Sequence, residues 1–378
     1  MTDFHNPIDL TQRLIQCPSV TPLDAGALEI LETALKPLGF ECHRQQFAEV
    51  DNLYAKLGTQ GPNFCFAGHI DVVPTGNLAS WTYPPFEGKI INDILYGRGA
   101  VDMKGGIGAF ISAISRFLKA SSSFNSSLSL LITSDEEGPA VNGTLKMLEW
   151  LSSKNEKLDA CLVGEPTSDR QVGDIIKYGS RGSLNTALKV QGMQGHVAYP
   201  LLADNPLPRL IKTLSSFLSS PLDDGCPHFQ PSNLEVTSID VGNEATNMIP
   251  QEATARFNIR FNTLHTSASL KSHIQDMCRH HAGSHTLEFQ GNAEAFVSPA
   301  DDFLKMVIQE INTVTKGQAH ANTSGGTSDA RFIYKYCPVL ELGLRNQTAH
   351  KVDEHVSLTD LETLTQIYER ILASYFKS

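Results

Sequence analysis

Apolar and polar positions along this chain fall into blocks of two alternating periods. Leu28, Leu31, Leu35 and Leu38 recur at helical spacing, and Gly39 follows as a stop. Residues 52–58 and 63–73 then read as two strands joined by a turn containing Gly61-Pro62. Ile107, Phe110, Ile111, Ile114, Phe117 and Leu118 mark an amphipathic helix, and 128–133 a nearly all-apolar strand of the kind buried on both faces. A helix carrying Leu145 and Leu148 leads to another such strand at 160–163. Strands alternating with helices predict an α/β fold, a mixed sheet with a parallel core flanked by helices.

From about residue 182 the rhythm changes. A strand at 183–191 precedes a helix with Leu207, Leu210, Ile211, Leu214 and Phe217. Strands near 234–241 and 252–262, a helix near 267–281 and a strand near 285–291 complete the order β-α-β-β-α-β, the ferredoxin-like split unit. Leu304, Val307, Ile308 and Ile311 then mark a helix, 338–342 a strand and 359–376 a closing helix, so the first pattern resumes. The predicted organisation is one catalytic α/β domain in two pieces, 1–181 and 295–378, interrupted by an inserted α+β domain at 182–294.

Composition narrows the function classes. With 378 residues, 41% of them hydrophobic, the chain can bury two cores. Its formal net charge is −11 and its Lys and Arg residues are dispersed, which argues against nucleic acid or an anionic membrane surface as partner. No apolar run approaches the roughly 18 residues of a membrane span. Met1-Thr2-Asp3-Phe4-His5-Asn6 lacks a basic segment followed by an apolar one, so no secretory signal is expected. Seven cysteines form no C-x-x-C pair, and Cys65 and Cys161 sit inside apolar runs; a reducing, cytoplasmic setting is expected.

Candidate chemistry collects at strand ends, where open α/β sheets bind their ligands. Read in order, those ends carry His69 and Asp71, Asp102, Glu136 and Glu137, and Glu165; His350 follows the strand at 338–342. In extended backbone His69 and Asp71 share a face, which suits a metal ligand and the acid that orients its imidazole. A lone His-x-Asp or Asp-Glu-Glu run is an ordinary solvated strand end. Several in one crevice would repel unless cations sat among them. Nitrogen and oxygen ligands without thiolate suit zinc, or manganese or cobalt on similar grounds. Two cations about 3.5–4 Å apart, sharing one carboxylate, use such a set economically. Neighbouring Glu136 and Glu137 diverge from the backbone, so one can bind metal while the other serves as general base.

Gly68-His69-Ile70-Asp71-Val72-Val73-Pro74, the stretch from Gly97 to Gly106, Glu136-Glu137-Gly138 and Gly164-Glu165-Pro166-Thr167 resemble the two-metal amidases of the aminoacylase and carboxypeptidase family. The likeness spans nearly the whole chain and includes the stretches 176–185, 192–200, 245–250 and 324–332. It implies a di-zinc exopeptidase-like fold and metal-dependent amide hydrolysis. By that resemblance His69, Asp102 and Glu165 would hold one zinc, and Asp102, Glu137 and His350 the other, with cobalt or manganese able to substitute. Asp71 would orient His69, Glu136 would be the base, and the peptide bond after Asp102 would be cis. His196, on the insert, would reach a partner subunit's site and help hold the oxyanion, which implies a homodimer built through the insert. The substrate would be a small molecule with several carboxylates. Arg181 and Arg260 would act as carboxylate forks, with Tyr199, Asn247, Gly326, Thr327 and Asn346 lining the pocket. Leu201 stands where a polar residue is common, and Arg345 where relatives tend to be apolar; Arg345 could alter pocket charge, and the sequence leaves its effect on fine specificity open. Related deacylases and dipeptidases remain the alternatives. A non-catalytic binding protein on the same fold would lack ligands or base, yet every metal position and Glu136 are present.

Overall fold

The computed structural model describes residues 6–121, 124–219 and 221–377; residues 1–5, which carry most of the stretch read for a leader, lie outside these. The chain forms two compact units, one of residues 6–178, 298–322 and 328–377, the other of residues 179–297 and 323–327.

The first unit is built on an eight-stranded sheet. Its order is Glu41–Phe47, Val50–Leu57, Ser127–Thr133, Asn63–His69, Ala160–Val163, Val339–Glu341, Ile175–Lys177, His320–Asn322. The four strands from Ser127–Thr133 to Val339–Glu341 run parallel, while Glu41–Phe47 and Val50–Leu57 add an antiparallel edge. Asn63–His69 and Ser127–Thr133 are buried at every position, which explains their apolar runs. Ser127–Thr133 lies between Val50–Leu57 and Asn63–His69, so the two strands flanking Gly61-Pro62 are not partners. Phe66 stacks on Phe110 with ring centroids 4.1 Å apart, and Tyr368 meets both rings edge-on. Each such side chain contributes about 1.5–3 kcal/mol by leaving water. Helices Lys104–Ala120 and Leu358–Tyr375 pack on each other over this core.

Two local departures bear on the site. The strand predicted at 63–73 ends at His69: the Ile70 amide still bonds to the Thr133 carbonyl at 2.9 Å, but the Val72 amide turns to the Ser19 carbonyl. Helix Lys104–Ala120 begins at Lys104, ahead of its first apolar position, and takes in Gly105 and Gly106. A Cβ on Gly106 would lie 2.7 Å from the Gly164 carbonyl oxygen, so glycine here lets the helix start approach the turn carrying Glu165. The peptide bond between Asp102 and Met103 is cis.

The second unit has the strand order Asn233–Asp240, Glu252–Phe261, Gly182–Gln191, His285–Ala293, every neighbour antiparallel. Helices Pro206–Leu218 and Ser267–His281 cover the sheet through Leu210, Leu214, Leu270 and Ile274. That is the split β-α-β arrangement of ferredoxin-like units.

Candidate metal centre

Four parallel strands of the first unit end at one edge, and each delivers part of the cluster. His69 closes Asn63–His69, and Glu136 and Glu137 lie just beyond Ser127–Thr133. Glu165 follows Ala160–Val163, and His350 comes after Val339–Glu341. Asp102 sits at the start of helix Lys104–Ala120. His69 Nε2 is 3.2 Å from Asp102 Oδ1 and 3.7 Å from Glu165 Oε1. His350 Nε2 is 3.1 Å from Asp102 Oδ2 and 2.8 Å from Glu137 Oε1. The two oxygens of Asp102 thus face different histidines.

The donors fit cations. His69 Nε2 and Asp102 Oδ1 are buried and make no hydrogen bond among the described residues, a costly state unless a further group takes them. Ligand atoms of His69, Glu136 and Glu165 lie within 4.8 Å of one another, and so do those of His69, Asp102 and Glu137. Without cations the acids and imidazoles share protons instead. Burial, then Asp102 and Glu136, push Glu165 well above the usual carboxylate range; burial, partly opposed by His69, does the same for Glu136. Burial alone would lower His69, but Asp102, Glu165 and Glu136 outweigh it and hold the imidazole charged. His350 is pushed up to about 10 by Asp102 and Glu137.

A raised histidine pKa stabilises the fold below its ordinary value of 6.5, and that contribution is lost as pH rises through about 10. The chelator-treated protein is therefore expected to lose melting temperature between about pH 7 and 10 relative to the zinc-loaded form. Zinc binding is expected to expel protons. Calorimetry at pH 7.5 in buffers of different ionisation enthalpy reads this directly, and zero release would contradict a ligand set built on His69, His350 and Glu165.

Asp71 does more than its spacing suggests. His69 Nδ1 lies 2.9 Å from the Asp71 carbonyl oxygen and 3.6 Å from its carboxylate, so the main chain holds the imidazole. The Asp71 carboxylate accepts instead from the amides of Glu136, at 3.2 and 3.3 Å, and Glu137, at 3.0 Å. Asp135 likewise accepts from the amides of Ala140, Val141 and Asn142. Of the Asp-Glu-Glu run, Asp135 builds the turn and the two glutamates face the cluster.

Other expected residues lie in the second unit. Gly195-His196 pairs with Met248-Ile249, the Val197 amide bonds to the Asn247 carbonyl, and the His196 and Tyr199 rings are 5.7 Å apart, so these three residues gather. His196 is exposed; its Nδ1 accepts from the Ala198 amide at 3.0 Å, which leaves Nε2 as the donor. Arg260 pairs in register with Ser183, near Arg181. Neither arginine has a carboxylate partner among the described residues, and Arg181 donates only to Asn233 Oδ1, at 2.9 Å. Gly326 and Thr327 belong to the short segment 323–327. Asn346, exposed, starts a helical turn of the first unit.

Arg345 has its Nε and Nη2 both 2.7 Å from Asp360 Oδ2, which matches its charge. Leu201 is 96% exposed. Sequence reasoning passed over Asp329, which is buried, accepts from Thr144 Oγ1 at 2.6 Å and is pushed up to about 6 by burial. It also gave no role to Lys104, a buried amine donating to the Cys17 carbonyl at 2.8 Å and lowered to about 8 by burial. Both stand inside the quoted motifs, which was the available signal.

Paired glutamates and histidines around a shared aspartate, at the carboxyl edge of a mixed sheet, define the class of metal-dependent α/β hydrolases. The chain belongs to peptidase family M20/M25/M40, whose sequence model matches residues 65–374. A Rhodospirillum centenum protein named succinyl-diaminopimelate desuccinylase is 56% identical over 98% of this chain and 97% of its own length. A Maricaulis maris protein of the same name is 51% identical over 99% and 97%. Among solved structures, an M20 family metallo-carboxypeptidase from Sulfolobus solfataricus superposes with TM-score 0.81 at 19% identity, covering 98% of this chain and 99% of its own. A dinuclear metal-binding M20 peptidase from Bacillus subtilis gives 0.73 at 14%, covering 99% of each chain. These two share the fold.

Proposed function

We propose that the chain is a metal-dependent amide hydrolase that removes succinate from N-succinyl-LL-2,6-diaminopimelate, leaving LL-2,6-diaminopimelate for lysine and peptidoglycan precursors. The observation that carries this reading is the near full-length identity, 51–56%, to relatives named for that activity. His69, Asp102 and Glu165 would hold one zinc, and Asp102, Glu137 and His350 the other, with cobalt or manganese able to substitute. When bound, the cations would supply a water of lowered pKa and positive charge to stabilise the developing oxyanion. A carboxylate oxygen of Glu136 takes a proton as water attacks the amide carbon, and returns it to the amine nitrogen as the C–N bond breaks. Asp71 holds the Glu136–Glu137 backbone while this happens.

Arg181 and Arg260, free of acidic partners among the described residues, take substrate carboxylates as forks. Tyr199, Asn247, Gly326, Thr327 and Asn346 are the further residues assigned to the substrate by resemblance. His196 donates through Nε2 to the oxyanion in a partner subunit's site, so the enzyme is a homodimer joined through the second unit. Tyr199, Leu202 and Ile211, all more than 60% exposed, and the strand Asn233–Asp240, paired on one side only among the described residues, support that reading. No helix among the described residues is long and apolar enough to cross a membrane. The seven cysteines are all unpaired, which fits a cytoplasmic setting.

Assaying zinc-loaded protein on N-succinyl-diaminopimelate, N-acetylornithine and a simple dipeptide tests the substrate. One charged hydrogen bond more is worth roughly 1.5–3 kcal/mol, so kcat/KM is expected to favour the succinyl substrate by about 10–100-fold or more. Turnover of acetylornithine or the dipeptide alone overturns the substrate assignment.

A further inference from the structure

Glu354 lies four residues beyond His350 and is fully buried. Both of its carboxylate oxygens are filled. Oε2 accepts from Arg98 Nη1 at 2.7 Å and from the Gly99 amide at 3.0 Å. Oε1 accepts from the amides of Val101 at 2.9 Å and Asp102 at 3.2 Å. The Glu354 carbonyl takes the Gly97 amide at 2.9 Å. Arg98, also buried, donates to the carbonyls of Lys351 at 3.2 Å and Pro74 at 3.4 Å, and its guanidinium lies over the Trp81 ring at 5.2 Å.

One ion pair therefore ties three turns together: the one leaving His69 and Asp71, the one presenting Asp102, and the one presenting His350. Stability alone is a poor reason for such a pair, because desolvating two charges offsets most of their attraction. The destination of the bonds is more telling. The carboxylate collects three amides of a single turn, and the last belongs to the residue whose two oxygens face both histidines.

We propose that Glu354, seconded by Arg98, is a positioning residue for the shared carboxylate. It locks the Asp102 turn to the His350 turn and so sets how tightly the cation held by Asp102, Glu137 and His350 is retained. It touches no ligand side chain and acts through the backbone. The proposal rests on the two-cation reading above. In Glu354→Gln an NH2 group replaces one acceptor oxygen and meets N–H donors on either side, so the turn must shift. The site using His350 feels that shift in two ligands, and the site using His69 and Glu165 in one.

The test titrates metal-free wild type and Glu354→Gln with Zn2+ against a competing chelator, alongside melting curves of the metal-free forms. Wild type is expected to bind two cations. The variant is expected to bind one with near-normal affinity and the other about 10–100-fold more weakly, the range for groups that orient metal ligands, with its metal-free melting temperature within a few degrees of wild type. Unchanged affinities overturn the proposal. So does equal weakening of both cations in step with a lowered melting temperature, which is what a merely structural role gives. Fewer than two cations on wild type removes the two-cation reading and this proposal with it. Should Glu354→Gln not fold, Arg98→Lys decides. It keeps a positive charge beside Glu354 but loses the fork to Lys351 and Pro74; the same selective loss supports the proposal and normal retention of both cations overturns it.

Discussion

Glu136→Gln is expected to keep both cations and lose about 10²–10⁴-fold in kcat, the usual share of a positioned general base. Glutamine matches the shape of glutamate but has no oxygen basic enough to take a proton from the attacking water. In the cation-free site burial, Asp329 and Glu137 raise the Glu136 carboxyl while His69 opposes them; cations bound beside it favour its carboxylate form, the form a base needs. Its partner Glu137 already points its Oε1 at His350, 2.8 Å away, so the two adjacent acids have separate tasks. Zinc content and single-turnover rate are the measurements. Two bound cations with an unchanged rate would transfer the base role to another group. The same variant tests the dimer. Mixed in equal amounts with His196→Ala subunits, it is expected to regain about a quarter of wild-type activity if His196 serves its neighbour, because about half the dimers are then hybrids with one intact site of two; no recovery argues that His196 serves its own chain or nothing.

Much of this site was legible because parallel strands buried on both faces read as apolar runs, and each run stops at a polar group. His69, Glu136, Glu137 and Glu165 all stand at or just past such stops, and the sheet brings those stops to one edge. Glu41–Phe47 was not legible. Its sequence ECHRQQF is partly exposed on both faces, so it lacks the alternation that marks a strand with one buried side. The work of Asp71 was half legible. Spacing put it beside His69, but the strand ends at His69, and from there the carboxylate reaches the Glu136 and Glu137 amides. Glu354 left no local trace, because an acid in a polar stretch reads as solvated and its partners lie more than 250 residues away in the chain.

Asp102→Ala and His350→Ala are expected to differ in kind, and that difference tests the sharing of Asp102. Oδ1 of Asp102 faces His69 Nε2 and Oδ2 faces His350 Nε2, at 3.2 and 3.1 Å. On the proposed ligand set, deleting this carboxylate would take a ligand from each cation at once, whereas deleting His350 would take a ligand from one. Zinc retained after dialysis is expected to fall from two per chain to less than one in Asp102→Ala, and to about one in His350→Ala. Loss of both cations removes several kcal/mol of transition-state stabilisation, so Asp102→Ala should lower kcat/KM by roughly 10³-fold or more. Circular dichroism of the metal-free variants separates this from misfolding. If Asp102→Ala still holds two cations, the carboxylate is not shared. The convergence of Asp102 on two histidines would then reflect ion pairing in the cation-free state alone.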